Sequence, residues 1–251
     1  MTNDSIMSIQ NMSRRFGSLI AVDNVSLEIG RGTVHAIIGP NGAGKTTLFN
    51  MLSGELMPSS GCVRFEAKRI ERLRPDIRAR RGIGRSFQIT SIFPTLSVFE
   101  NVRIASYAKE GWSRYNFIVP VRETSALNRR ALNVLERVGL AEVASIPAGE
   151  LSHGRQRLLE IALALAGRPR LLLLDEPCAG MGVEDIELML NLLRDLAEDH
   201  TIVIIEHHVE LVMAVSDIVT VLDHGRLLVQ GTPESVQRHP QVREAYLGVG
   251  L

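Results

Sequence analysis

The first third of the chain alternates short apolar runs with glycine turns, a pattern that predicts strands first and a helix afterwards. Polar and apolar residues alternate in Ser8–Gln10 and in Ser26–Glu28, as in strands with one buried face. Thr33–Ile38 is a β-branched run that ends at a glycine-rich turn. Thr46–Leu52 then has helical spacing, and Gly54, a common helix-ending residue, closes it. Strand, glycine-rich turn and helix in this order begin a parallel α/β unit.

Helical spacing dominates the middle of the chain, from Gln88 to about Leu165. Ser97 can cap a helix in this stretch, because Glu100 follows it by three positions as in a capping box. Ala126–Val138 also places apolar residues three or four apart. We therefore predict a largely helical segment here.

Strand and helix patterns alternate again from Leu171 onwards. Continuous apolar runs are typical of strands buried on both faces of a parallel sheet, and helical segments are expected to cover that sheet. The apolar runs are Leu171–Leu174 and Ile202–Ile205, the helical segments are Glu184–Leu196 and Val209–Val215, and two further strands lie near Ile218–Leu222 and Leu227–Gln230 around a turn at residues 223–226. The sequence thus predicts an α/β core interrupted by a helical insert.

Composition excludes several classes of protein. The chain has 251 residues, 45% of them hydrophobic, which suits one large folded domain. Its formal net charge is zero, so it lacks the basic excess of a nucleic-acid binder. Cys62 and Cys178 are too far apart in sequence to indicate a disulfide framework or a zinc site. The most apolar stretch, Leu158–Leu174, is interrupted by charges and proline, and the N-terminus has no secretory signal.

Residues 39–46 match the P-loop pattern and stand between the predicted strand and helix. Glycines at 39, 42 and 44 let the backbone curve so that its N–H groups point at phosphate oxygens. The helix that begins near Lys45 adds the positive end of its dipole. Lys45 is expected to reach the β- and γ-phosphates, and the Thr46 hydroxyl to ligate Mg²⁺. These residues predict binding of a nucleoside triphosphate.

Two carboxylates, Asp175 and Glu176, follow the apolar run Leu171–Leu174. A buried strand that ends in Asp175 places that carboxylate beside the P-loop, where it can hold Mg²⁺ through water. Glu176 would then face the γ-phosphate and could polarise an attacking water. The alternative interpretation is a solvated acidic turn, which the preceding P-loop makes less attractive.

The segment Leu151–Gln156, which reads LSHGRQ, resembles the LSGGQ signature of ATP-binding-cassette (ABC) ATPases. Three more residues resemble family positions: Phe16 the aromatic that stacks on adenine, Gln88 the Q-loop glutamine, and His207 the switch histidine. The resemblance runs from about residue 7 to the C-terminus. It implies a P-loop NTPase (RecA-like) core with an N-terminal antiparallel β subdomain and an inserted α-helical subdomain.

The resemblance also implies domain bounds and a set of site residues. A single domain is expected over residues 7–245, with the core and β subdomain in about 7–88 and 167–251 and the helical insert in about 89–166. Glu176, His207 and Gln88 are expected to act in catalysis, and Thr46, Gln88 and Asp175 to hold the metal. The residues expected to bind nucleotide are Phe16, Gly39, Pro40, Asn41, Gly42, Ala43, Gly44, Lys45, Thr46, Thr47, Ser152 and Gly154.

Four positions depart from the family pattern. In the signature, His153 replaces a glycine and Arg155 stands where glutamine is common. Gly182 stands where an aspartate usually ends the loop after Glu176, and His208 replaces a frequent aspartate. Gly182 weakens the expectation of communication across a dimer interface through that loop. Because Glu176 and His207 are both present, hydrolysis is still expected.

ABC ATPases work as head-to-tail dimers that hold two ATP molecules, so the resemblance implies ATP and Mg²⁺ as cofactors and a second ATPase subunit, identical or related, as partner. Finer features, including residues 93–101 and the ending Ala245–Gly248, resemble importer ATPases for branched-chain amino acids, amides and urea. That group implies permease subunits, an indirect solute-binding protein, no nucleic acid, and a peripheral place on the cytoplasmic face of the inner membrane. An exporter ATPase, such as one for lipopolysaccharide, and a soluble ABC ATPase remain alternatives.

Two local features leave their interpretations open. The aromatic residues Tyr107, Trp112, Tyr115 and Phe117 could dock on a membrane subunit or pack against the chain's own helices. The basic segment from Lys68 to Arg85 could face acidic lipid headgroups or a membrane partner, or it could form a solvated, salt-bridged surface, and this last interpretation is favoured.

Overall fold

A computed structural model describes residues 5–86, 92–110 and 125–242, and within them the chain forms two sheets flanked by helices. The strands are β1 (Ser5–Phe16), β2 (Leu19–Gly30), β3 (Val34–Ile38), β4 (Ser60–Phe65), β5 (Lys68–Arg69), β6 (Ile83–Arg85), β7 (Leu171–Asp175), β8 (Thr201–Ile205), β9 (Ile218–Asp223) and β10 (Arg226–Gly231). The helices are α1 (Lys45–Ser53), α2 (Pro75–Arg80), α3 (Val98–Glu110), α4 (Ser125–Arg137), α5 (His153–Ala166), α6 (Val183–Ala197), α7 (Val209–Val215), α8 (Pro233–Gln237) and α9 (Pro240–Val242). Short 3₁₀ turns lie at Ala141–Val143 and Ala148–Glu150.

The first sheet is antiparallel, in the order β2-β1-β4-β5. Its two long strands extend well beyond the segments predicted around residues 8–10 and 26–28. Strand β4 was missed, because Ser60-Gly61-Cys62 lacks a clear alternation of polar and apolar residues. Its conformation is fixed by pairing with β1, in which Met7 lies opposite Phe65 and Ile9 opposite Val63.

The second sheet is mixed, in the order β10-β9-β3-β8-β7-β6. Strands β3, β7 and β8 are parallel neighbours and every residue in them is buried, as their continuous apolar runs predict. The predicted hairpin is confirmed, although its strands reach further and leave only His224 and Gly225 in the turn. Strand β6 was not predicted, since it has three residues and pairs only with β7.

Helices cover both faces of the second sheet, so its alternate residues enter two different apolar cores. On one face, α1 lies between the two sheets, and Leu48 and Phe49 pack with residues of β1, β2 and β4. On the other face, α3 to α7 contribute to a single core that reaches Leu172 and Leu174 of β7. The predicted fold class, a P-loop core with an antiparallel β subdomain and a helical insert, is confirmed.

The helical insert begins with the predicted capping box. The Ser97 hydroxyl accepts a hydrogen bond from the Glu100 backbone N–H at 3.1 Å, and the Glu100 carboxylate accepts from the Ser97 backbone N–H at 3.2 Å. Helices α3, α4 and α5 follow one another between β6 and β7. The bounds 89 and 166 for the insert stay predictions. Among the described residues, no helix is long and apolar enough to cross a membrane.

Ion pairs occupy much of the basic segment 68–85. Arg69 pairs with Glu71, Arg74 and Arg80 pair with Asp76, and all three arginines are exposed. Arg78 differs, since it is buried and donates hydrogen bonds to carbonyl oxygens at the C-terminal end of α1 and to Leu73. Burial lowers the pKa of the Arg78 guanidinium to about 10, so the group still carries its charge at neutral pH. Arg78 therefore caps the helix that follows the P-loop.

Replacing Arg78 with methionine should destabilise the protein, because three carbonyl groups lose a charged donor in a dry environment. We expect a loss of about 3 kcal/mol in the free energy of unfolding, measured by urea denaturation. Arg80→Met is the matched control two positions away, and losing its exposed pair should cost less than about 1 kcal/mol. Equal losses in the two variants would contradict the capping role.

Candidate functional site

The P-loop occupies the turn between β3 and α1, where its glycines adopt conformations that other residues rarely reach. Gly42 and Gly44 have φ angles of 81° and 93°, and Gly44 is the N-cap of α1. The Ala43 backbone N–H donates to the Pro40 carbonyl at 3.1 Å, which closes the turn. The backbone between Gly39 and Thr46 thus curves into the start of a helix, as predicted for a phosphate-binding loop.

The turn of the β9–β10 hairpin makes hydrogen bonds that support this loop. The Gly225 backbone N–H donates to the Ala43 carbonyl at 3.1 Å, and the Asp23 backbone N–H donates to the Gly225 carbonyl at 2.8 Å. A side chain on Gly44 would collide with the Ala21 carbonyl of β2. The loop therefore needs glycine at position 44 for two reasons, its φ angle and the close approach of β2.

The Lys45 side chain folds back so that its amine contacts the backbone of the P-loop. Its Nζ donates to the carbonyls of Gly39 at 2.7 Å and Pro40 at 3.0 Å. Burial lowers the pKa of Lys45, while the nearby carboxylates of Glu176 and Asp175 act in the opposite direction. The structure thus brings Lys45 into the electrostatic reach of both carboxylates that the sequence analysis selected.

Asp175 and Glu176 leave the sheet at the same edge. Asp175 is buried as the last residue of β7, and its backbone N–H donates to the Ser86 hydroxyl at 3.2 Å. Glu176 turns out of the strand with a φ of 48°, which leaves its side chain 36% exposed. Of the two interpretations given above, a purely solvated acidic turn is wrong for Asp175.

His207 lies beside Glu176. Its Nδ1 is 3.4 Å from the Glu176 Oε1, whereas the Nδ1 of His208 is 3.5 Å from Glu206. The two imidazole rings are neighbours, with centroids 4.6 Å apart. Of the two histidines, His207 is therefore the one whose Nδ1 lies next to Glu176.

Glu206 is the residue that sequence reasoning missed. Its side chain is fully buried, and its carboxylate accepts hydrogen bonds from the backbone N–H groups of Cys178 and His207. The signal in the sequence is a charged residue that directly follows the apolar run of β8.

The signature segment leads into the first turns of α5. Ser152 is the N-cap, and its hydroxyl accepts a hydrogen bond from the Arg155 backbone N–H at 3.4 Å. The His153 ring lies against Gly180, and the Asp185 carboxylate lies against Gly154. None of the hydrogen bonds that Ser152 makes in the described residues reaches the P-loop.

Phe16 lies at the end of β1 with 44% of its surface exposed, and the Arg14 guanidinium stacks over its ring at 4.6 Å. An exposed aromatic face can stack against a flat base.

Gln88 falls outside the described residues, but hydrogen bonds fix the position of strand β6, which precedes it. Arg85 donates to the Ser53 hydroxyl at 2.5 Å and to the Asn50 side chain at 2.8 Å, which ties β6 to α1.

These residues fit a magnesium nucleotide. The loop offers a curved backbone and a lysine for phosphates, Thr46 is the second residue of α1, and Asp175 lies close enough to Lys45 to act on its pKa. Glu176 and His207 add one proton acceptor and one donor at the same edge of the sheet. Such an arrangement can bind a triphosphate and orient a water for attack.

The family model for ABC transporters matches residues 22–179, which span the P-loop, the signature and both carboxylates. The chain belongs to the ABC transporter family. It is an ATPase that binds nucleotide, as cassettes of this family do. A second model, for branched-chain amino acid ATP-binding cassette transporters, matches residues 226–251.

Among known ABC proteins, this chain is similar to the high-affinity branched-chain amino acid transport ATP-binding protein BraF of Pseudomonas aeruginosa. The two are 38% identical over 97% of this chain and 98% of BraF. The ABC cassette fold here also matches the ADP conformation of an ABC transporter cassette, with a TM-score of 0.86 and 32% identity over 97% of this chain and 99% of that one. A dimeric post-hydrolysis cassette bound to ADP and Pi matches with a TM-score of 0.76 and 26% identity, over 90% of this chain and 98% of that one.

Gly44→Ala should damage this ABC cassette at its P-loop, because the new methyl group meets the Ala21 carbonyl at an unfavourable φ. We expect a loss of about 3 kcal/mol in unfolding free energy, and an ATP affinity weaker by about tenfold or more. Gly32→Ala is the control, since Gly32 also has a positive φ but no atom within 4 Å of the added carbon. Denaturation measures the loss of stability, and titration with a fluorescent ATP analogue measures the ATP affinity. An unchanged ATP affinity in Gly44→Ala would contradict the role of this loop in phosphate binding.

Proposed function

We propose that this chain is the ATP-hydrolysing subunit of an importer for branched-chain amino acids or for related amides or urea. The observation that carries the proposal is the meeting of Lys45, Glu176 and His207 at one edge of the sheet. The likeness to BraF over nearly the whole chain supports the substrate class. It also favours import over the lipopolysaccharide-export and soluble alternatives.

In the proposed mechanism, the backbone of residues 39–47 and Lys45 hold the phosphates, and Phe16 stacks on adenine. Thr46, Asp175 and Gln88 would hold Mg²⁺, which neutralises phosphate charge when bound. Glu176 orients the attacking water and accepts its proton, and His207 contacts the γ-phosphate. These roles follow from the family resemblance, and the positions of Lys45, Glu176 and His207 support them.

The signature acts on a nucleotide held by a second subunit. Ser152 and the N-terminus of α5 lie outside the chain's own P-loop, and a helix N-terminus attracts the negative γ-phosphate. The dimeric relative bound to ADP and Pi supports a two-subunit assembly. The second subunit is another copy of this chain or a related ATPase. Release of the cleaved phosphate after hydrolysis removes the charge that holds the two subunits together.

A groove on the surface offers a place for a permease subunit. It has a volume of about 490 Å³, lies between α2, β6, α3 and α5, and borders Arg85, where the chain leads into the segment containing Gln88. Its apolar lining includes Ile104 and Leu163, and Phe93 at its edge is 53% exposed. We propose that a cytoplasmic segment of the permease binds here, which places the chain on the cytoplasmic face of the membrane and links it indirectly to a solute-binding protein. Trp112, Tyr115 and Phe117 lie outside the described residues.

Glu176→Gln should retain ATP and lose turnover, because the amide keeps its size but cannot accept a proton. We expect hydrolysis to fall by about 100-fold or more, with ATP affinity preserved and the dimer stable in gel filtration with ATP. Glu198→Gln, on an exposed residue at the end of α6, is the control and should hydrolyse ATP normally. Near-normal phosphate release by Glu176→Gln would refute the assigned role.

Ile104→Glu should prevent permease binding, because it places a charge in an apolar groove. The variant should hydrolyse ATP as an isolated chain yet fail to retain permease polypeptides after purification from detergent-solubilised membranes. Leu188→Glu, on the exposed face of α6, is the matched control and should retain them. Retention by both variants would exclude this groove as the docking site.

A further inference from the structure

A buried carboxylate connects the two loops that carry the proposed catalytic residues. Glu206 directly follows β8 and has no exposed surface. An uncompensated charge in such a place is unfavourable, so its polar partners have to stabilise it. Those partners come from two different parts of the chain.

Each carboxylate oxygen of Glu206 accepts one backbone hydrogen bond. Oε1 accepts from the Cys178 N–H at 3.0 Å, in the loop that follows Glu176. Oε2 accepts from the His207 N–H at 3.2 Å and lies 3.5 Å from the Nδ1 of His208. Burial, with a smaller contribution from Glu206, raises the pKa of the Cys178 thiol to about 12, so this neighbour stays uncharged at neutral pH.

The hydrogen bonds of Glu206 lie just beyond the last backbone pairing between β7 and β8. Asp175 is the last residue of β7 to pair with β8, opposite Ile205, and the Glu176 N–H still donates to the Ile205 carbonyl at 2.9 Å. At Glu176 the left-handed φ of 48° turns the chain away from the sheet. Beyond this point the Glu206 side chain joins the two loops, and Glu176 Oε1 remains 3.4 Å from His207 Nδ1.

We propose that Glu206 is a positioning residue for ATP hydrolysis, which holds the loop of Glu176 and the loop of His207 at their working separation. The proposal rests on the roles assigned above to Glu176 and His207. Glu206 itself touches neither nucleotide nor water in this scheme. It acts through the backbone N–H of His207 and through that of Cys178, two residues after Glu176.

Conservative variants separate this role from simple core packing. In Glu206→Gln the amide nitrogen must face one of the two N–H donors, so one bond is lost while the volume stays the same. In Glu206→Asp the side chain is one methylene shorter and cannot span both loops. Both variants should bind ATP with unchanged affinity and KM and lose about 10- to 100-fold in kcat, as small displacements of reacting groups do.

The matched control is Glu71→Gln, since Glu71 is also buried and accepts a hydrogen bond from Arg69, the last residue of β5. Its kcat should stay within about twofold of the unmodified chain. A kcat of Glu206→Gln near that of the unmodified chain, or an ATP affinity that falls in parallel with kcat, would overturn the proposal. Thermal unfolding of each full-length variant verifies that the folded chain is measured.

A double variant tests whether Glu206 acts through His207. Adding Glu206→Gln to His207→Ala should lower the single-turnover rate of labelled phosphate release by a smaller factor than Glu206→Gln does in the unmodified chain, because one of the two groups that Glu206 positions is already absent. If Glu206→Gln lowers this rate by the same factor in both backgrounds, the loss reflects general damage to the core and the proposal is overturned.

Glu176→Gln and His207→Ala alone test the assigned roles separately. If neither variant lowers ATP turnover, the proposed function fails whatever the effect of Glu206→Gln.

Discussion

The parallel pairing of β3, β8 and β7 is the constraint on which the site depends. Parallel neighbours end at the same edge of a sheet, so the P-loop after β3, Glu176 after β7 and His207 after β8 emerge side by side. The three strands are buried on both faces, which requires the continuous apolar runs seen in the sequence. Chemistry at this edge is thus a consequence of how the core is packed.

Other side chains and turns then hold in place the loops that the three strands bring to this edge of the sheet. Gly44 allows β2 to approach the P-loop, and the Gly225 turn makes hydrogen bonds that support it. Arg78 caps the far end of α1, while Arg85 ties the same helix to β6 and to the segment that leads to Gln88. The nucleotide loop, the hairpin and the edge of the groove are therefore connected through one nine-residue helix.

Much of this arrangement could be predicted from the sequence, because the buried strands and the P-loop have local patterns of strong physical origin. The predicted hairpin, the capping box at Ser97 and the helix end at Gly54 are confirmed for the same reason. Strand β4 and strand β6 could not be predicted, since pairing partners distant in sequence determine them. Glu206 was missed because its importance depends on Cys178, 28 positions earlier, which only the fold brings close.

The central claim is that ATP hydrolysis at this edge of the sheet drives import of branched-chain amino acids. The most direct test is uptake of labelled leucine into proteoliposomes that contain this chain with its co-purifying permease and ATPase subunits, with the solute-binding protein outside and ATP inside. The account predicts accumulation that requires ATP and ceases when this chain carries Glu176→Gln. ATP hydrolysis at full rate with no accumulation of leucine or of any related amide would contradict it.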